Sequence, residues 1–240
     1  MFVNAATERS LDLIASRASD VYKAFTPGAT PANGDVETSR PTSRATADPL
    51  SVTAPPGTYF VTTDADGRTV YTRDGRLRVG NGGIVGSNGR AMLGYAKDDA
   101  SLQALQFDAI DSALGRQQHL RVAPDGRVMY DRLAIEPRSG TQHAQPVCIG
   151  RLAVARFPAA TKLSTRGDGT IAAPAGVAAH VGMPGDGDFG VLAPMREEQS
   201  RVDLDLSLER LHDAYVAFDA LQAAHKAQGA TGKVAMDLLK

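Results

Sequence analysis

The sequence predicts a mainly β protein with α-helical termini, an elongated β-meander flanked by an N-terminal and a C-terminal helix. Three observations carry that prediction. Between residues 49 and 198 apolar and polar positions alternate with a period of two, and turn dipeptides recur at Asp66-Gly67, Asp74-Gly75, Asn88-Gly89, Asp125-Gly126 and Asp168-Gly169. At each end of the chain the period changes to the spacing of a helix seam. Among 240 residues, 24 are Gly and 13 are Pro, while aromatics make up 5% and Trp is absent. That balance favours many turns and short strands over a large α/β core.

Residues 1–27 read as the first helix. Leu11, Ile14, Ala18, Val21 and Phe25 are spaced 3, 4, 3, 4 and so fall on one stripe, with Arg9, Asp12, Ser16, Asp20 and Lys23 left for the other faces. Pro27-Gly28 stops the helix. Residues 28–48 are rich in Pro, Thr, Ser and Ala, carry Val36 as their one large apolar side chain, and read as a linker.

Residues 49–198 read as the β-rich domain. Alternating runs at 59–63 and 68–73 flank Asp66-Gly67, and Asp-Gly between such runs signals a hairpin because both residues tolerate positive φ. The same reasoning makes Asp74-Gly75 a second tight turn, with Gly75 at positive φ, handing the chain on to Leu77 and Val79. Further β-type runs fall at 120–122, 127–130, 147–157 and 169–172. Arg follows four of the turn dipeptides, and its expected role is to keep sheet edges charged. A weakly helical stretch at 100–114 interrupts the pattern.

Residues 199–240 read as the second helix. Leu204, Leu208, Leu211, Tyr215 and Phe218 are spaced 4, 3, 4, 3, and Asp203, Asp205 and Glu209 lie in the first turns, where the helix dipole favours acids. Gly229 and Gly232 weaken the final segment, although Val234, Met236, Leu238 and Leu239 suggest an apolar last turn. Neither helix can bury its own seam. The two seams are expected either to pair in cis, with each other or on the β-domain, or to meet between subunits.

The residues point away from catalysis. A net charge of −1 gives no footprint for nucleic acid or anionic lipid. Cys148 is the only cysteine, so a disulfide within the chain and a thiolate metal cluster are both excluded, and it reads as a small buried strand residue. No apolar run approaches the ~20 residues of a membrane span. Glu8, Arg9 and Asp12 leave no room for a signal-peptide core, which taken alone suggests a cytoplasmic protein without excluding export by a route that reads no cleaved signal. His119, His143, His180, His212 and His225 show no metal-ligand spacing within one element. The run Gly185-Asp186-Gly187-Asp188-Phe189-Gly190 lacks the remaining ligands of a calcium loop and the companion motifs of a kinase, and reads as a Gly-rich turn. Gly229-Ala230-Thr231-Gly232-Lys233-Val234 imitates part of a phosphate loop without its first Gly or a preceding strand. No catalytic residue, metal site or cofactor is therefore expected, and the chain reads as a non-enzyme.

Three motifs then narrow the reading. Pro49-Leu50-Ser51-Val52 precedes Gly57-Thr58-Tyr59-Phe60; Tyr71-Thr72-Arg73-Asp74-Gly75 follows; and Gly187-Asp188-Phe189-Gly190-Val191-Leu192 leads to Glu198-Gln199-Ser200-Arg201-Val202-Asp203-Leu204. In order and spacing, over about residues 49–240, these resemble the bacterial flagellar rod and hook protein family, whose corresponding motifs are Pro-Leu-Asp-Val before Gly-x-Gly-Phe-Phe and Glu-x-Ser-Asn-Val-Asp-Leu before the last helix. The chain departs from the family after the first helix, where 14–34 keeps only the fragments Ala15-Ser16 and Thr26-Pro27-Gly28, and at Arg201, where the family has Asn. The resemblance implies a rod subunit whose terminal helices form a coiled-coil-like tube with the β-domain outside. Its partners would be copies of itself, other rod or hook subunits and the flagellar export apparatus. Its place would be the periplasm-spanning basal body, reached without a cleaved signal. On that reading Leu11, Ile14, Ala18, Val21, Phe25, Leu204, Leu208, Leu211, Tyr215 and Phe218 form the assembly interface. The alternative from the residues alone is a soluble β-rich binding module of the bacterial envelope, its helices folded back in cis.

Overall fold

The runs around Asp66-Gly67 pair as the hairpin their alternation requires. In a computed structural model, β3 (Thr58–Thr63) and β4 (Thr69–Thr72) are antiparallel, with Phe60 opposite Thr72 and Thr63 opposite Thr69. The structure describes residues 2–26, 28–29, 42–80, 82–96, 101–108, 117–135, 142–158, 161, 163–166, 169–200 and 202–237. Within them the protein is mainly β with one helix near each end. The helices belong to one compact unit, Met1–Phe25 with Ser200–Lys240, while Thr26–Ala29 and Ser39–Gln199 belong to the other.

The β-unit is built on two larger sheets. One joins β3 and β4 to β12 (Val154–Arg156), β13 (Ser164–Thr165), β14 (Thr170–Ala172) and β15 (His180–Gly182) in the order β13-β14-β4-β3-β12-β15. The other joins β7 (Leu93–Ala96), β8 (Leu102–Ala104), β9 (Gln117–Val122), β10 (Arg127–Ile135) and β11 (Gln142–Leu152) in the order β8-β7-β11-β10-β9. Three short ribbons complete the described strands: β1 (Ser43–Ala45) with β17 (Arg196–Glu198), β2 (Val52–Thr53) with β16 (Ala193–Pro194), and β5 (Leu77–Gly80) with β6 (Gly83–Gly86).

Successive residues of a strand face opposite sides. Phe60 and Val154 accordingly enter the main core, with Val52, Leu77, Ile84, Met92, Leu105, Tyr130 and Leu152, while their neighbours Val61 and Ala155 join Leu93 and Ala153 in a second cluster. Burial on both faces explains why 60–61 and 152–155 read as unbroken apolar runs. Phe189, in the Gly-rich turn, is also a core residue, and a short 3₁₀ turn Gly187–Phe189 delivers it there.

Three expectations change. Within the stretch expected to be weakly helical, Leu102–Ala104 is strand β8, because Leu93, Gly94 and Tyr95 of β7 offer it an open edge; 97–100 and 109–116 lie outside the described residues. The end of the stretch read as linker forms β1, pairing Ser43 with Glu198. Asp74-Gly75 is not a hairpin turn: β4 stays in its sheet with β3 and β14, β5 leaves to pair with β6, and Gly75 lies outside the left-handed region. Residues 75–77 instead run beside 50–52, with Val52 N–H donating to Gly75 O (3.0 Å) and Leu77 N–H to Leu50 O (3.2 Å). Gly is needed there for close approach, since a Cβ would stand 1.7 Å from Val52 O. The turn arginines are used locally. Arg68, Arg76 and Arg127 pair with Asp66 (3.8 Å), Asp74 (2.8 Å) and Asp125 (2.7 Å) of the dipeptides they follow, with Arg68 and Arg127 still more than half exposed.

In the helical unit, α1 (Phe2–Lys23) and α2 (Leu204–Asp237) pack against each other. Asp203 caps α2, accepting Leu206 N–H at 3.1 Å, and α2 continues through Gly229 and Gly232. Ser200 Oγ donates to Lys23 O (2.8 Å), a carbonyl the end of α1 leaves open, and accepts Val202 N–H (3.1 Å). The end of α1 thus meets the start of α2, and the pair is antiparallel.

Candidate functional site

The sequence nominated two sets of residues, the helix seams and the three motifs. The structure divides the first and gathers much of the second.

On α2 the side chains turned inward are Leu204, Ser207, Leu211, Ala214, Phe218 and Leu221, a 3-4 stripe in which Ser207 and Ala214 are fully buried. Leu208 and Tyr215, one position further on, are about half exposed, Tyr215 at 50%. On α1, Ile14 is buried and Ala18 and Val21 half-buried, whereas Leu11 and Phe25 are exposed, Phe25 at 67%. Reading by large apolar residues had passed over Ser207 and Ala214, whose small side chains permit close helix packing. Asp20 is also buried, with Lys23 Nζ at 3.6 Å and Arg17 at 3.9 Å to balance its charge. The helix pair therefore carries an inner seam that is used; Leu208 and Tyr215 flank it on α2, and Leu11 and Phe25, at the two ends of the N-terminal stripe, stay exposed.

The motifs converge on Arg73. The end of β4 carries it into the β-unit, where it is 6% exposed and its partner Glu198, the last residue of β17, is 4% exposed. A guanidinium has five N–H donors in a fixed fork. Here Nε donates to Glu198 Oε2 (2.9 Å) and Nη2 to the same carboxylate and to Ala54 O (3.0 Å). Nη1 donates to Pro55 O (2.8 Å) and Thr58 O. All five are engaged, and the Tyr59 ring lies 5.8 Å from Cζ.

Gly28, from the fragment Thr26-Pro27-Gly28, completes the junction. Its φ is 67°, its N–H donates to Gln199 O (3.3 Å), and a Cβ there would lie 2.5 Å from Arg73 Cβ. Gln199 N–H in turn donates to Thr42 O (2.9 Å). Pieces of sequence up to 171 positions apart thus share one hydrogen-bonded cluster.

The remaining motif residues support this arrangement from nearby. Leu50 packs on the main core and Pro49 O accepts Val122 N–H at 3.3 Å. Tyr71 meets Phe157 edge-on at 4.9 Å, and burial raises its hydroxyl pKa. Thr72 Oγ1 accepts Asp74 N–H (3.0 Å). Burial of Asp74 would raise its pKa, but hydrogen bonds from Arg76 and Ser87, with the Arg76 charge, hold its carboxyl below the usual value. Val202 is buried and Asp203 is the helix cap already described, while Arg201 lies outside the described residues. What the sequence did not reveal was the pairing of Arg73 with Glu198, 125 positions apart; the signal available was that both lie in the motifs on which the rod and hook resemblance rests.

The histidines do not converge. His119, at φ 48°, faces Asp131 (3.4 Å), and His180 leans on Phe189. Cys148 is half-buried on β11. Among the described residues no group of three or more His, Cys, Asp or Glu side chains could hold a metal ion, and no helix is long and apolar enough to cross a membrane. No protein-family model and no curated protein matches the sequence.

Proposed function

We propose that the chain is a structural subunit of the bacterial flagellar basal-body rod, polymerising through its terminal helices into a coiled-coil-like tube that transmits torque. The observation that carries this reading is the apolar surface the helix pair leaves uncovered. After α1 and α2 have paired, Leu11, Leu208 and Tyr215 remain about half exposed and Phe25 largely exposed, so the helices hold more apolar surface than one chain covers. Helices that each meet several neighbours in a tube need two seams, one for the cis partner and one for the next subunit. The convergence of the motif residues on Arg73 adds support, because it gives the shared wording a structural purpose. The partners on this reading are copies of the chain, other rod or hook subunits and the export apparatus, and the subunit reaches the rod without a cleaved signal.

A second reading is a β-rich envelope binding module, non-enzymatic like the first. It draws on the fact that α1 and α2 already pair within one chain.

Truncation of the two seams separates the readings. Ile14→Ala removes a buried side chain and should destabilise the helical unit of the dilute monomer by about 2 kcal/mol or more. Leu208→Ala with Tyr215→Ala should change monomer melting by no more than about 0.5 kcal/mol per site while abolishing incorporation into rods, scored as motility. Normal incorporation of that double variant overturns the assembly reading and favours the binding module.

A further inference from the structure

The ribbon β1–β17 is attached to the β-unit in an unusual way. Of its six residues, only Glu198 is fully buried; Arg44, Ala45 and Arg196 are exposed, and Ser43 and Glu197 half-buried. A two-stranded ribbon is marginal in water unless an apolar face holds it down, and this one contributes no buried apolar side chain. Arg44 to Glu197 and Arg196 to Ser43 Oγ (2.9 Å) join its two strands to each other, and among the described residues its surface link to β2 is a single hydrogen bond from Thr53 Oγ1 to Arg196 O (3.1 Å). What enters the interior is a carboxylate, and Arg73 is what receives it.

We propose that Arg73 is a latch: its pairing with Glu198 holds the ribbon and the segment 26–29 on the β-unit as one cooperative piece, which opens without unfolding the two larger sheets. The chemistry supports coupling of both segments to one side chain. Glu198 fixes β17, β17 pairs with β1, and Gln199 O holds Gly28, which itself lies flat against the Arg73 stem. Removing the charge on one partner leaves the other buried without compensation, so the state with the ribbon docked loses most. The sheets keep their own anchors, since Phe60, Tyr130, Leu152 and Val154 are fully buried independently of the ribbon.

The inference does not rest on the assembly reading, because its test uses the soluble full-length chain. Amide hydrogen exchange is measured for Gly28, Thr46 and Gln199, whose N–H groups donate to Gln199 O, Met195 O and Thr42 O, and for Val61 and Leu152 as reporters of the sheets. In Glu198→Gln the first three amides should exchange at least about a hundredfold faster, with the reporters changing less than about threefold. Gly28→Ala, which keeps both charges of the ion pair but wedges a methyl against the Arg73 stem and Glu198 Oε1, should deprotect Thr46 and Gln199. Unchanged exchange at Gly28, Thr46 and Gln199 in Glu198→Gln overturns the latch. So does equal loss of protection at Val61 and Leu152, which would make Arg73 a general support of the domain. If Glu198→Gln does not fold, Gly28→Ala decides alone by the same two criteria, read at Thr46 and Gln199.

Discussion

Replacing Gly75 with Ala tests whether close approach, and not backbone handedness, demands glycine at that position. The new Cβ would stand 1.7 Å from Val52 O and 2.9 Å from Phe60 Cε2. Restoring even a tight 3.4 Å contact requires the strand segments to separate by well over an ångström. That movement strains the Val52 N–H to Gly75 O bond and the Leu77 N–H to Leu50 O bond beside it. Each contributes about 1 kcal/mol, and overpacking against the fully buried Phe60 adds about 1–3 kcal/mol. The expected loss is therefore about 3–5 kcal/mol. For a unit of this size that lowers Tm by about 10 °C, read from thermal unfolding followed by circular dichroism. Gly67→Ala is the control. Gly67 has φ 77° with open space around it, so only the conformational cost of about 1–2 kcal/mol applies. If Gly75→Ala melts no lower than Gly67→Ala, the close-approach argument is refuted and the requirement at Gly75 is conformational after all.

Two further expectations concern the β-unit. Asp74 ionises at lower pH when folded than when unfolded, so its stabilisation is complete above the ordinary carboxylate range and is lost as pH falls from about 5 through the depressed value. Asp74→Asn should therefore flatten part of the acid limb of a Tm–pH profile, and an unchanged slope would contradict the role given to Arg76 and Ser87. Met195 is half exposed with φ 55°, a region that costs an L-residue about 1 kcal/mol. Met195→Gly should raise Tm by about 2 °C, and a fall would show that the Met side chain holds that conformation favourably.

The parts of the fold that were legible in the sequence are those fixed by local chemistry. Asp66-Gly67 between alternating runs specifies a hairpin with little help from the rest of the chain, and the 3-4 spacings locate both helices. Asp74-Gly75 shows where such reasoning stops. The same dipeptide with the same flanks becomes a crossing between two sheets, because 50–52 is available to pair with 75–77. At 102–104 a weak helical pattern yields to an open sheet edge for the same reason. The helix seam was legible in period but not in phase, since burial at Ser207 and Ala214 depends on how closely the partner helix approaches. The junction at Arg73 was least legible. A buried arginine looks like any other until its four acceptors are known, and these are three backbone carbonyls and a carboxylate 125 positions away.

The complete use of the Arg73 fork also bears on ancestry. Lys offers three donors from a single point and cannot reach the same four acceptors, so Arg to Lys is not a neutral drift at this site. Gly28 admits no side chain beside the Arg73 stem, and Glu198 has no purpose without the cation. Gly28, Arg73 and Glu198 therefore constrain one another, and a change at any one of them is expected to be tolerated only with compensating changes at the other two.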